Sequence, residues 1–184
     1  MLLVLLAPLL LGIAAAVRLD SKGPAFFRQT RIGREGKPFT HYKVRTMVAN
    51  AEDIKGELCA ANEFDDVLFK MKHDPRITRL GSFLRKYSLD ELPQLVNVVR
   101  GEMSLVGPRP FLPSEVAQMD RDTLRRHAVQ PGITGLWQVS GRSDLNWEAA
   151  AELDTYYADN WNLAMDARIA ARTVGAVVGA KGAY

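Results

Sequence analysis

The chain opens on a run with no polar phase at all. Residues 1–17, "MLLVLLAPLLLGIAAAV", contain no charged side chain. Unbroken apolarity of this kind predicts a helix made for apolar surroundings, but 17 residues fall short of the roughly 20 that span a bilayer. Pro8 stands in mid-segment, lacks an N–H and clashes with the preceding turn, so a kink is expected there. The pattern favours a re-entrant helix that enters and leaves by one membrane face. A spanning helix ranks second and a cleaved signal peptide third: Ala14 to Ala16 imitate a cleavage site, but no basic stretch precedes the run. Its abrupt start, with no polar anchor, reads as N-terminally clipped. Residues 1–19 form this membrane-associated unit and residues 20–184 a single further domain.

Past the apolar run the periodicity changes. Gly23-Pro24 opens a predicted hairpin, with one strand over Ala25 to Ile32, a turn at "GREGKP" and a return over Phe39 to Arg45. Residues 47–72 are helix-prone and polar. Leu92, Leu95, Val96 and Val99 recur at i, i+3, i+4 and i+7, which predicts an amphipathic helix with one buried apolar stripe. Residues 114–127 read as a polar helix. "VQPGITGLWQVSGRSD", punctuated by Pro131, Gly132, Gly135 and Gly141, reads as a loop, and residues 147–160 as a helix. In the tail, Leu163, Met165, Ile169, Val174 and Val177 stand against Arg168 and Arg172. That is an amphipathic helix, either lying on a membrane or closing a core. The expected class is α+β: mainly helical with a small N-terminal β-hairpin, preceded by a kinked re-entrant membrane helix and ending in an amphipathic helix.

Composition agrees with a folded domain: 47% hydrophobic and 24% charged residues over 184 positions. Charge adds more by its placement than by its sum. The chain carries +3, yet residues 18–45 hold eight basic side chains against Asp20 and Glu35, an excess of six. A basic segment directly after an apolar one is how a protein meets an anionic cytoplasmic membrane surface. Phe26, Phe27, Phe39 and Tyr42 interleave with these cations. Such a mixture binds nucleic acid by stacking and charge, although a half-buried hairpin with a solvated face produces it more often. Cys59 is the one cysteine, so no internal disulfide forms. His41, His73 and His127 lack metal-ligand spacing, and Asp65-Asp66 reads as part of a solvated helix face. No Gly-rich phosphate loop and no nucleophile elbow is present.

Chemistry gathers instead in "SLDELPQLVNVVRGEMSLVGPRP", Ser88 to Pro110. Ser88-x-x-Glu91 matches a capping box. With Asp90 as the cap, Pro93 falls in the first turn, where proline is tolerated. Either register sets both carboxylates at a helix N-terminus, which keeps them ionised. An ionised Asp90 is a competent nucleophile towards phosphorus, and Glu91 beside it can share a hard cation such as Mg²⁺. Prolines on both sides of Arg109 restrict its backbone and aim its guanidinium. Arg85, upstream, is a second candidate phosphate clamp. Each feature alone also has a plain reading, as cap, turn or surface charge.

Together, "GPAFFRQTRIGREGKPFTHYKVRTM", "DPRITRLGSFLRKYSLDELPQLVNVVRGEMSLVGPRP", "PGITGLWQVSGR" and the closing "GAY" resemble the bacterial sugar transferase family. This is the family of monotopic phosphoglycosyl transferases. The chain looks most like the catalytic domain of undecaprenyl-phosphate hexose phosphotransferases. The resemblance implies transfer of a sugar phosphate from a UDP-sugar to a polyprenyl (undecaprenyl) phosphate, with UMP released, at the cytoplasmic face of the bacterial inner membrane. It makes Asp90 the nucleophile and Glu91 the Mg²⁺ ligand, with Arg85 and Arg109 holding phosphate. It also puts Gln138 and Arg142 in the nucleotide-sugar pocket and Pro8 at the membrane kink, and leaves no role for nucleic acid. Ala7 departs from the serine that often precedes that proline in the family. The reading of a different class is a non-catalytic module that binds membrane surface or nucleic acid.

Overall fold

The computed structural model describes residues 2–58, 71, 74–141 and 145–179. Cys59, Asp65, Asp66, His73, Arg142 and the closing "GAY" lie outside them. Helix α1 (Leu2–Asp20) runs as one helix with Pro8 inside it. Among the described residues no helix is long and apolar enough to cross a membrane. Two residues one turn apart, Ile13 and Val17, are buried with Ala25, Val44 and Leu84, so the C-terminal half of α1 is docked on the rest of the fold. Leu5, Leu9 and Leu11, nearer the helix N-terminus, stay exposed.

The hairpin forms where Gly23-Pro24 and the "GREGKP" turn place it. Strands β1 (Phe26–Ile32) and β2 (Pro38–Val44) pair antiparallel, with Phe26 opposite Val44 and Ile32 opposite Pro38. A short 3-10 turn joins them, with Glu35 and Gly36 at positive φ. Arg45 then ties the hairpin to α1: its guanidinium donates to the carbonyls of Lys22 at 2.5 Å and Ser21 at 2.8 Å. After α2 (Ala51–Leu58), α3 (Arg79–Lys86) starts under a Thr78 cap, whose hydroxyl accepts from the Gly81 N–H at 2.9 Å.

A 3-10 turn (Leu89–Gln94) leads into the short helix α4 (Leu95–Val99). Of the expected apolar stripe this segment buries only Leu95. Leu92 and Val96 are only half-buried and Val99 is 75% exposed, whereas Asp90, Pro93, Gln94 and Asn97 face inward. The reason is the neighbour: this face meets the backbone of β2 rather than an oily core. Asn97, fully buried, donates to the Thr40 carbonyl and to Glu102 Oε2, both at 2.7 Å, and accepts from the Tyr42 N–H at 3.4 Å. Its amide thus stands in for a third strand. Replacing Asn97 with leucine strands the Thr40 carbonyl and Glu102. The variant will lose about 2–3 kcal/mol, read as a lower urea midpoint at unchanged slope.

The second half holds two departures from the sequence reading. The "PGITG" stretch is not all loop: β3 (Ser104–Val106) pairs parallel with β4 (Gly132–Thr134), and α7 (Leu136–Ser140) follows at once. The polar helix expected over 114–127 is broken into α5 (Pro113–Val116), α6 (Arg121–Leu124) and a 3-10 turn (Arg125–Ala128). Asp120 causes the break, since its carboxylate accepts from the Thr123 N–H at 2.8 Å and caps a new helix. Helix α8 (Trp147–Asn160) matches the expected span, and α9 (Leu163–Val178) closes the fold. Ile169 of α9 is buried against Val106 and Tyr157, while Leu163 and Val174 point outward. The tail is therefore a core helix on one side, with a mixed face of Leu163, Arg168, Arg172 and Val174 exposed on the other.

Candidate active site

Ser88 sets up the site by a backbone device rather than a cap. Its φ of 54° puts a non-glycine residue in the left-handed region, and its side chain makes no capping bond. The capping-box reading of Ser88 and Glu91 therefore fails. The strained residue turns the chain between α3 and the 3-10 turn, and the Glu91 side chain is left free to reach β2. There Lys43 meets both carboxylates: its Nζ lies 2.7 Å from Glu91 Oε1 and 3.9 Å from Asp90 Oδ2.

One ammonium and two neighbouring carboxylates do not give two equal acids. Burial raises the Asp90 carboxyl above its usual range, with Lys43 and then Arg85 pulling against it. Burial works the same way on Glu91, but there Lys43 and Arg109 win and hold it at about 2. Adjacent groups driven apart in this manner have different tasks. Glu91 stays a fixed anion. Asp90 is the more basic oxygen, hence the better nucleophile whenever it is ionised.

The Arg109 loop is held by its carbonyls, because its prolines have no N–H to give. The Pro108 carbonyl accepts from the Gly132 N–H at 2.9 Å, that of Arg109 from Arg126 Nη2 at 2.5 Å, and that of Pro110 from Arg31 Nη1 at 3.1 Å. Gly107 and Gly132 allow the first of these contacts. A Cβ on Gly132 would lie 2.1 Å from the Gly107 nitrogen, and one on Gly107 2.4 Å from the Gln130 carbonyl. This explains why "GPRP" and "PGITG" occur in one chain: their backbones touch. So fixed, Arg109 reaches within 3.9 Å of Glu91 Oε1, its guanidinium 5.9 Å from the Trp137 ring centre.

Under the loop, Arg126 is 1% exposed, stacked 4.0 Å over Phe111 and paired with Asp154 Oδ2 at 2.5 Å. Burial pushes the Asp154 carboxyl up to about 6, against the pull of Arg126. The pair braces the Arg109 backbone from below.

Arg31, His41, Glu91, Gln94, Arg109 and Gln138 line one narrow pocket. Burial, with Lys43 and Arg31 adding to it, drops His41 to about 3, so it is neutral at physiological pH. Burial likewise lowers Arg31 to about 10, which leaves it charged. Arg85 donates from Nε to Thr46 Oγ1 at 2.9 Å and interacts electrostatically with Asp90. The structure thus brings Glu91, Arg109 and Gln138 to one pocket, while Asp90 and Arg85 sit beside Lys43 and Thr46 and are not part of its lining. Pro8 lies apart, in α1.

Sequence reasoning missed Lys43, Arg31, His41 and the Arg126–Asp154 pair. Two signals were present. His41, Lys43 and Arg45 alternate on one face of a predicted strand, three basic or titratable groups with a common direction. Asp154 shares the helical stripe of Ala150, Ala151 and Tyr157, where an acid has no reason to be unless a cation meets it.

The Arg109→Lys variant follows from this geometry. It keeps the charge and the anchored carbonyls but loses the planar fork, so turnover will fall about 10²-fold while the urea midpoint stays put.

The family model described as bacterial sugar transferase matches residues 1–180. The UDP-galactose-lipid carrier transferase of Erwinia amylovora is 45% identical over 98% of this chain and 38% of its own length. The undecaprenyl-phosphate galactose phosphotransferase of Salmonella typhimurium is 43% identical over 100% of this chain and 39% of its own. The chain thus spans about two fifths of these relatives. The exopolysaccharide production protein ExoY of Sinorhizobium fredii is 41% identical, and 82% of its length is covered.

Proposed function

The chain belongs to the bacterial sugar transferase family, and we propose that it moves a sugar-1-phosphate from a UDP-sugar to a polyprenyl phosphate through a covalent intermediate on Asp90. The observation that carries this reading is the split pair: a buried, more basic Asp90 beside an Asp-adjacent Glu91 that Lys43 and Arg109 keep ionised. In the first half-reaction an Asp90 oxygen attacks the β-phosphorus of the donor. The P–O bond to UMP breaks, UMP leaves with that electron pair, and a sugar-phosphate remains as an acyl phosphate on Asp90. In the second, an oxygen of the acceptor phosphate attacks the same phosphorus, the Asp90–phosphorus bond breaks, and the carboxylate returns as the polyprenyl-diphosphate sugar forms.

The other residues have distinct tasks. Arg109 and Arg85 bind non-bridging phosphate oxygens as charge builds at phosphorus, and Arg109 supplies two parallel donors. Arg31 and neutral His41 make the pocket receptive to a diphosphate without adding a competing acid. Gln138, which lines the pocket with Glu91 and Arg109, is assigned to the sugar nucleotide. Glu91 offers hard carboxylate oxygens suited to Mg²⁺, which when bound neutralises diphosphate charge and polarises the phosphoryl group. Among the described residues no three His, Cys, Asp or Glu side chains converge. Such an ion would therefore complete its shell with substrate phosphate and water, as Mg²⁺ usually does.

We place α1 in the membrane as a re-entrant helix at the cytoplasmic face. Its exposed leucines and its docked Ile13 and Val17 support this. The experiment that tests the chemistry is exchange of labelled UMP into UDP-sugar without acceptor. A covalent intermediate requires exchange. Transfer only when both substrates are present, with no exchange, would rule it out.

A further inference from the structure

Strand β2 and the segment from Glu91 to Asn97 meet as a short ladder. At one end Lys43 donates to Glu91 Oε1 at 2.7 Å, and at the other the Thr40 carbonyl accepts from Asn97 at 2.7 Å. Between these rungs come His41, on the same face of the strand as Lys43, and Gln94, midway between Glu91 and Asn97. Residues three apart eclipse in a 3-10 turn, so Gln94 stands on the side of Glu91. The outer rungs are closed by hydrogen bonds and the middle one is open. His41 is 5% exposed and Gln94 2%, and both line the polar pocket with Glu91 and Arg109. Among the described residues neither side chain has a hydrogen-bond partner, yet their polar atoms are not sealed inside the protein.

We propose that His41 and Gln94 bind hydroxyl groups of the donor's sugar and so select which hexose is loaded onto Asp90. The proposal rests on the transfer reading above and adds what reads the sugar. Buried polar groups are normally paired, and two left open on facing elements mark a place where a ligand completes the bonding. Their chemistry suits a hydroxyl, which both donates and accepts: a neutral imidazole offers one donor and one acceptor, and a primary amide offers both kinds in one plane. Phosphate oxygens, which only accept, are better met by Arg31 and Arg109 in the same pocket. Position agrees with chemistry. Gln94 is one turn from Glu91, the neighbour of the nucleophile. The sugar is joined to the β-phosphorus through a single oxygen, whereas uracil lies beyond a second phosphate and a ribose. Among the described residues no Phe, Tyr or Trp lines this pocket to stack a base.

Loading without acceptor isolates this step. UMP release and adduct mass are followed with UDP-glucose, UDP-galactose and the two corresponding N-acetylhexosamine donors. The unsubstituted protein will prefer one donor over its epimer by about tenfold or more. Gln94→Met and His41→Phe keep the bulk of each side chain and remove its polar atoms. Each will slow loading from the preferred donor about tenfold or more and narrow the preference over the epimer. Inhibition of loading by UDP, which carries no sugar, will stay within about twofold, a split that general damage to the fold would not give. The two positions lie on different elements, so one variant still decides the matter if the other folds poorly. An unchanged donor preference in a folded variant would overturn the proposal, and so would equal loading of all four donors by the unsubstituted protein. Loss of UDP inhibition in step with loading would assign the pair to the nucleotide instead and overturn it as well. Failure of the unsubstituted protein to load from any donor would strike the transfer reading itself.

Discussion

Asp90→Asn will release no measurable UMP, a loss of about 10⁴-fold or more, and will not lower the urea midpoint at neutral pH. The two halves of that result belong together. The carboxylate is the attacking group, so its amide has nothing with which to form the acyl phosphate. Yet Asp90 is 6% exposed, and burial lifts its carboxyl above 3.8. A group whose folded pKa is raised stabilises the fold below its unfolded pKa and loses that contribution as pH rises through the folded value. At neutral pH the charged form is therefore a cost to stability, and asparagine relieves it. The same shift places the acid limb of the rate profile above the ordinary aspartate range, because protonation removes the nucleophile. A limb at or below 3.8 in kcat/KM, or a clear drop in stability in the Asn variant, would show that Asp90 is held for structure.

The second large effect falls on a pair that touches no substrate. Asp154→Ala leaves the Arg126 guanidinium buried without its partner, and will cost about 3–5 kcal/mol. Combining Arg126→Met with Asp154→Leu removes both charges and fills the space with hydrocarbon. Such replacements are often neutral or stabilising, so the double variant will recover most of the urea midpoint. It will not recover activity, which stays at least about tenfold down, because the Arg109 carbonyl has lost the donor that fixes it. KM for the UDP-sugar and kcat should both move. If activity returns together with stability, the pair serves the fold alone and Arg109 is positioned by Gly132 and Arg31.

These two predictions mark what the sequence does and does not disclose. Asp90, Glu91 and Arg109 stand within one short stretch, and local chemistry suffices to suspect them. Lys43 is 48 positions from Glu91; only the hairpin register and the docking of Asn97 on β2 bring them together. The hairpin was legible from its punctuation, Gly23-Pro24 before the first strand and "GREGKP" between the two. Strands β3 and β4, three residues each, are too short for any period to emerge. Their glycines looked like loop punctuation, whereas the Gly107–Gly132 contact shows them to be sites of backbone approach. The stripe at Leu92, Leu95, Val96 and Val99, of which only Leu95 is buried, misled for a related reason. Periodicity reports one face of a helix, but which face is buried depends on the neighbour, and here the neighbour is a strand edge that needs Asn97. The capping box failed because Ser88 adopts a left-handed backbone that a sequence pattern does not encode.

The claim on which the rest depends is that a sugar-phosphate resides on Asp90 between the two half-reactions. Intact-mass analysis of the protein after incubation with a UDP-sugar and Mg²⁺, without acceptor, tests it most directly. The account predicts a mass increase of one sugar-phosphate, mapped to the peptide carrying Asp90, lost on addition of undecaprenyl phosphate and absent from Asp90→Asn. No adduct with a donor that the enzyme turns over, or an adduct on another residue that persists in Asp90→Asn, would contradict it.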